Sequence, residues 1–77
     1  MDIKVLGTGC TKCKMLANVT REAVNKSGIE ATITKVEDIV EIMQYGVMNT
    51  PALVINGQVV SSGKVPSVND VVKLITA

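Results

Sequence analysis

The sequence predicts a single α/β domain over residues 1–77, with elements in the order β-α-β-α-β-β-α. Three observations carry that expectation. Short β-branched runs alternate with segments of helical periodicity through the first half of the chain. An Asn56-Gly57 pair between two apolar runs is a strong hairpin signal. A chain of 77 residues, 47% of them hydrophobic, can build one core, near the lower size limit for a self-sufficient domain.

Asp2–Leu6 places Ile3 and Val5 at period two and runs into Gly7 and Gly9, so it reads as the first strand. From Cys10 to about Ser27 the pattern turns helical. Leu16, Val19 and Ala23 recur on one face, while Lys14, Asn18, Arg21, Glu22 and Asn25 fall largely elsewhere. Gly28 stands where a left-handed C-cap belongs. Ile29 to Val36 is the second strand, with Ala31, Ile33 and Lys35 on one side and Thr32, Thr34 and Val36 on the other. A strand–helix–strand unit of this length makes a right-handed crossover and a parallel pair.

Glu37-Asp38 opens a short helix with Ile39, Ile42 and Met43 on its apolar stripe and acids at its favourable end; Gly46 stops it. Thr50–Ile55 is a strand whose unbroken apolar run implies burial on both faces. Asn56-Gly57 turns the chain into Gln58–Ser62, its antiparallel partner. After the Gly63–Pro66 connection, Ser67 caps a last helix with Val68, Val71, Val72 and Ile75 facing inward.

Composition narrows the function. Net charge is +1, from 8 basic and 7 acidic residues without a block of either sign, and Tyr45 is the only aromatic residue. Neither a basic patch nor a stacking platform points to nucleic acid, and no apolar run approaches the ~18 residues of a membrane span. The first residues, Met-Asp-Ile-Lys-Val, lack the pattern of a secretory signal, so a cytoplasmic, reducing compartment is expected. In that setting the chain's two cysteines, Cys10 and Cys13, are a redox or metal-binding pair in preference to a structural staple.

The pair sits where the first strand gives way to the first helix. The helix dipole and free N–H groups favour a thiolate at Cys10, with Lys12 and Lys14 adding weak positive charge. Thiolate attack on a disulfide gives a mixed disulfide that a second thiol resolves, which makes Cys10 the nucleophile and Cys13 the resolving residue. The chain contains no histidine, and that excludes the usual Cys/His hydrolase arrangement. The rival reading is a binding module in which the same thiolates carry Cu(I) or zinc, or bridge an iron–sulfur cluster between two chains. Soft-metal carriers with a G-x-G-C-x-x-C start place methionine where this chain has Thr8, and they end on a strand. A four-ligand zinc site within one chain lacks ligands.

Cys10-Thr-Lys-Cys13 after the first strand, Thr50-Pro51 at the opening of the third, and the element order together resemble thioredoxin-fold proteins. The resemblance covers the whole chain and is closest to the small thioredoxin/glutaredoxin-like "redox-active disulfide" proteins of archaea and bacteria. It reaches the Gly63-Lys-Val-Pro-Ser67 turn into the last helix. It implies a thioredoxin fold, a four-stranded mixed sheet of order 2-1-3-4 flanked by three helices. It also implies a thiol–disulfide oxidoreductase of the protein-disulfide reductase type, with Cys10 and Cys13 as the active disulfide and Pro51 as a cis-proline facing them. Thr50 would offer its backbone to the substrate chain, and Thr11, Lys12 and Gly63 would complete the substrate-contacting set.

No bound cofactor or metal is expected. Electrons would come from a thioredoxin-reductase-type donor or a low-molecular-weight thiol and pass to disulfide-containing proteins, the chain acting as a monomer away from nucleic acid and membrane. The motif departs from the family's WCGPC and CPYC forms. Lys4 stands where thioredoxin has a buried acid, so proton transfer at Cys13 would use solvent or Lys4 itself. The Gly-Gly pair and following acids of glutaredoxin glutathione sites have no clear counterpart, Ser62-Gly63 standing roughly there.

Overall fold

β1 (Asp2–Leu6) and β3 (Ala52–Ile55) form the centre of a four-stranded sheet in the computed structural model, which describes residues 1–9 and 11–76. β2 (Thr32–Val36) runs parallel to β1, and β4 (Gln58–Ser62) closes the other edge antiparallel to β3, giving the order β2-β1-β3-β4. The helices are α1 (Thr11–Ser27), α2 (Ile39–Gln44) and α3 (Val68–Thr76). This is the thioredoxin fold expected from the sequence.

Alternation along β1 divides the core in two. Ile3 and Val5 point to one face, where they join Leu53 and Ile55 of β3, Leu16, Ala17 and Ala23 of α1, and Val71 and Ile75 of α3. Leu6 points to the other, with Val36, Ala52, Val54 and Ile42 of α2. β3 is buried on both sides because it is central and covered above and below, and its four apolar residues reflect that. Each fully buried Ile or Leu here is worth about 1.5–3 kcal/mol of transfer free energy.

The boundaries follow local chemistry. Gly28 N–H closes α1 on the Val24 carbonyl at 3.1 Å with a left-handed φ of 72°. Asp38 caps α2 by accepting from Val40 N–H at 2.9 Å, and Ser67 Oγ accepts from Asp70 N–H at 3.2 Å at the head of α3. Asn56 and Gly57 both have positive φ, as the tight hairpin requires. The β3–β4 register shifts by one residue between Leu53 and Val54, which leaves Val60 as a bulge.

Three expectations about elements are corrected, the first being that β3 begins at Ala52 and not at Thr50, after the cis Thr50–Pro51 bond. β2 begins at Thr32 and not at Ile29; Ile29 and Ala31 still pack on the core, as connection rather than strand. In α2 only Ile42 is buried, whereas Ile39 and Met43 are 60% and 68% exposed. Six residues make fewer than two turns, so a single side chain reaches the sheet and its presumed stripe companions lie to either side of the contact.

Candidate functional site

Thr11, Lys12, Cys13, Thr50, Pro51 and Gly63, the described residues of the set read from the sequence as the site, belong to one end of the sheet. β1 and β4 end there, β3 begins there, and α1 starts immediately after β1. In α/β sheets this rim, outside the carboxyl ends of parallel strands, is where ligands and reactive groups gather. Thr11 and Lys12 are the first residues of α1 and are exposed. Cys13 follows in the same first turn, is 6% exposed, and is held in a disulfide. Cys10, read as the nucleophile, lies outside the described residues. No acid occupies the first turn of α1, so the positive end of the helix dipole is not offset by a carboxylate there.

Gly7 fixes the depth of Cys13. It continues β1 by donating its N–H to the Val36 carbonyl at 2.9 Å, and it is buried. A Cβ built on Gly7 would collide with Cys13 Sγ and stand 2.9 Å from Cys13 Cβ. The absence of a side chain at residue 7 is therefore what lets the sulfur sit against the strand end. The sequence reading used Gly7 only as a strand terminator. The signal that could have found it is the alternation of Ile3 and Val5, which places residue 7 on the face that α1 must cross.

The β1–β3 register ends at Leu6 opposite Ala52, so Gly7 and Pro51 each lie one residue beyond the last paired position. The Thr50–Pro51 bond is cis. Pro51 is buried and Thr50 exposed. Gly63 joins them by donating its N–H to the Pro51 carbonyl at 2.8 Å, with φ of 74° and Asn49 Cβ 3.1 Å from where its own Cβ would be. Met48, two residues before Thr50, is 95% exposed.

Lys4 is placed away from Cys13. It alternates with Ile3 and Val5, so it projects to the α2 face, opposite α1. There its Nζ donates to Tyr45 Oη at 3.1 Å, lies 5.8 Å from the centre of the Tyr45 ring, and stands 4.0 Å from the Asp2 carboxylate. The Tyr45 hydroxyl, then the charge it can carry, then Asp2 raise the Lys4 ammonium above its ordinary value of 10.5. Of the two proton routes expected for Cys13, the one through Lys4 runs against this geometry.

A crevice of about 50 Å³ opens beside Cys13, lined by Val5, Gly7, Gly9, Lys14, Lys35 and Glu37. Among the described residues no group of three or more His, Cys, Asp or Glu stands close enough to hold a metal ion, and no helix is long and apolar enough to cross a membrane.

Comparison with known proteins agrees with this architecture. A family model described as a thioredoxin domain matches residues 1–76. A thioredoxin of Methanothermobacter thermautotrophicus is 34% identical over 76 residues, 99% of each chain. A thioredoxin of Methanocaldococcus jannaschii is 39% identical over 69 residues, which is 90% of this chain and 79% of that protein.

Proposed function

The chain belongs to the thioredoxin domain family and is a thiol–disulfide oxidoreductase, and from that premise we propose that it reduces protein disulfides through a dithiol/disulfide couple of Cys10 and Cys13. The observation that carries this reading is the disulfide at Cys13 in the first turn of α1, in a chain with only one other cysteine.

In the dithiol state the Cys10 thiolate attacks one sulfur of a substrate disulfide. A mixed disulfide forms and the first substrate thiolate leaves. Cys13, having lost its proton, attacks Cys10 sulfur and expels the second substrate thiolate. Two electrons have passed to the substrate, which takes up two protons, and the cysteine pair is left oxidised. Burial of Cys13 suits the resolving role, because a shielded second thiol does not compete for the incoming substrate. Thr11, Lys12, Thr50, Pro51 and Gly63 contact the substrate chain around the pair. A thioredoxin-reductase-type donor or a low-molecular-weight thiol returns the electrons. The chain works as a monomer in a reducing, cytoplasmic compartment with no resident cofactor.

The test is equilibration in thiol/disulfide buffers, followed by acid quenching, alkylation and mass analysis. A two-electron transition between roughly −180 and −300 mV is expected, the span of known oxidoreductases. Two thiols that stay free throughout and bind Cu(I) or zinc tightly would overturn the couple in favour of a metal carrier.

A further inference from the structure

Charged residues of both signs line the crevice beside Cys13, and the register explains two of them. Lys35 pairs with Val5 across β1–β2, so it shares the α1 face. Glu37, two residues later, keeps to the same side, and one more step of the parallel register sets it beside Gly7. Lys14 approaches from α1. These three are the described titratable groups facing Cys13 in the crevice, and Lys12 adds an exposed charge in the same turn of α1.

Reduction changes the charge at this point. The disulfide is neutral, whereas the dithiol loses a proton in part and leaves a negative sulfur. Cys13 is 6% exposed, so water screens that end of the pair less than it would a solvated thiol. A cation in the crevice therefore stabilises the reduced state and an anion opposes it.

We propose that Lys35 and Glu37 are the residues that tune the reducing power of the cysteine pair, acting in opposite directions from neighbouring positions at the end of β2. The inference rests on the couple proposed above. The exchange it modulates is protein disulfide plus two glutathione thiols giving protein dithiol plus glutathione disulfide. Lys35 draws that equilibrium toward the dithiol and makes the protein a weaker reductant. Glu37 draws it toward the disulfide and makes the protein a stronger one. Both act through charge on sulfur without touching substrate, so they are positioning residues. Each is exposed at its outer end, which limits its effect to about two- to five-fold in the exchange constant at low salt.

The experiment measures that constant with reduced and oxidised glutathione at pH 7 and pH 8.5, for the unsubstituted chain and for Lys35→Gln, Lys35→Arg, Glu37→Gln and the double Lys35→Gln/Glu37→Gln variant. Urea unfolding checks that each variant is folded. Lys35→Gln is expected to move the constant two- to five-fold toward the disulfide and Glu37→Gln the same span toward the dithiol. Lys35→Arg should restore the original value, the double variant should return near it, and the spread should widen at pH 8.5 and narrow at high salt. A lost packing contact would not move the two neutral variants in opposite directions. A normal transition that both variants leave unmoved, or move the same way, overturns this inference alone. The absence of any transition in the unsubstituted chain overturns the couple, and the inference with it.

Discussion

Cys13 Sγ rests against the bare backbone of Gly7, in the space a Cβ on that residue would fill. The contact ties the first turn of α1 to the residue that follows β1, and Gly7 N–H is itself fixed on the Val36 carbonyl. Depth of the sulfur, position of the helix and end of the strand are thus one geometric fact. Gly7→Ala should cost about 1–3 kcal/mol, as overpacking of a filled site does. Either α1 lifts from the sheet or Cys13 turns outward, and disulfide reduction should slow with it. Urea unfolding of Gly7→Ala, Cys13→Ala and the double variant separates the causes. The cost of Gly7→Ala should shrink in the Cys13→Ala background, where the nearest clashing atom is gone. An unchanged cost there would mean that the sulfur contact is not what requires glycine.

Gly63 does a second piece of positioning, and its effect can be separated from simple backbone strain. Gly63→Ala places a side chain at φ 74° and against Asn49, which should cost about 1–2 kcal/mol. Gly28 has nearly the same angle, φ 72°, with open space around it and a position at the far end of α1. Gly28→Ala should therefore lower stability comparably and leave disulfide reduction intact. Gly63→Ala should also raise KM for a disulfide substrate, because its N–H holds the Pro51 carbonyl. Equal KM values in the two variants would remove Gly63 from the substrate surface.

Most of the fold was legible because its signals are local. Period two in Ile3 and Val5, the turn pair Asn56-Gly57, and Ser67 ahead of Asp70 each act within a few residues. The Cys10-Thr-Lys-Cys13 and Thr50-Pro51 motifs are each local in the same way, and they carry the site reading proposed above. What escaped depends on register or distance. Lys35 reads as a residue of the second strand and Glu37 as an acid opening the short helix, until the pairing of Lys35 with Val5 sets both in the crevice beside Cys13. Lys4 and Tyr45 meet across 41 residues of sequence, so an expected proton route at Cys13 proved to be a contact on the other face. The stripe expected in α2 failed because a helix of six residues touches the sheet through Ile42 alone.

The Lys4–Tyr45 contact gives a pH dependence of known sign. Folding raises the Lys4 ammonium above its ordinary 10.5, chiefly through the Tyr45 hydroxyl. A group raised in the folded state contributes its full stabilisation below the unfolded value and loses it as pH climbs through the folded one. Stability from this contact should thus be level through neutral pH and decline only above about 10.5. Tyr45→Phe removes the acceptor, so Lys4 should titrate closer to its ordinary value and the alkaline decline should flatten. Side-chain NMR of Lys4 with urea midpoints from pH 8 to 11.5 measures both. Identical alkaline curves for the two proteins would contradict the assignment.

The two cysteines should fail in different ways when replaced singly. On the proposed couple, Cys13→Ser leaves Cys10 able to attack but removes the thiol that resolves the product, so mixed disulfides with substrate should accumulate one per chain. Cys10→Ser removes the attacking sulfur and leaves a thiol that is 6% exposed in the first turn of α1, so trapping should fall to near background. Mass analysis after non-reducing separation, with dithiothreitol releasing the adduct, distinguishes the outcomes. The asymmetry follows from burial, since thiol exchange needs the attacking sulfur in line with the substrate's sulfur–sulfur bond, and a shielded sulfur cannot reach that line before the mixed disulfide forms. Stronger trapping by Cys10→Ser would reverse the roles of the two cysteines while leaving the couple in place. Equal and weak trapping by both would count against the couple itself.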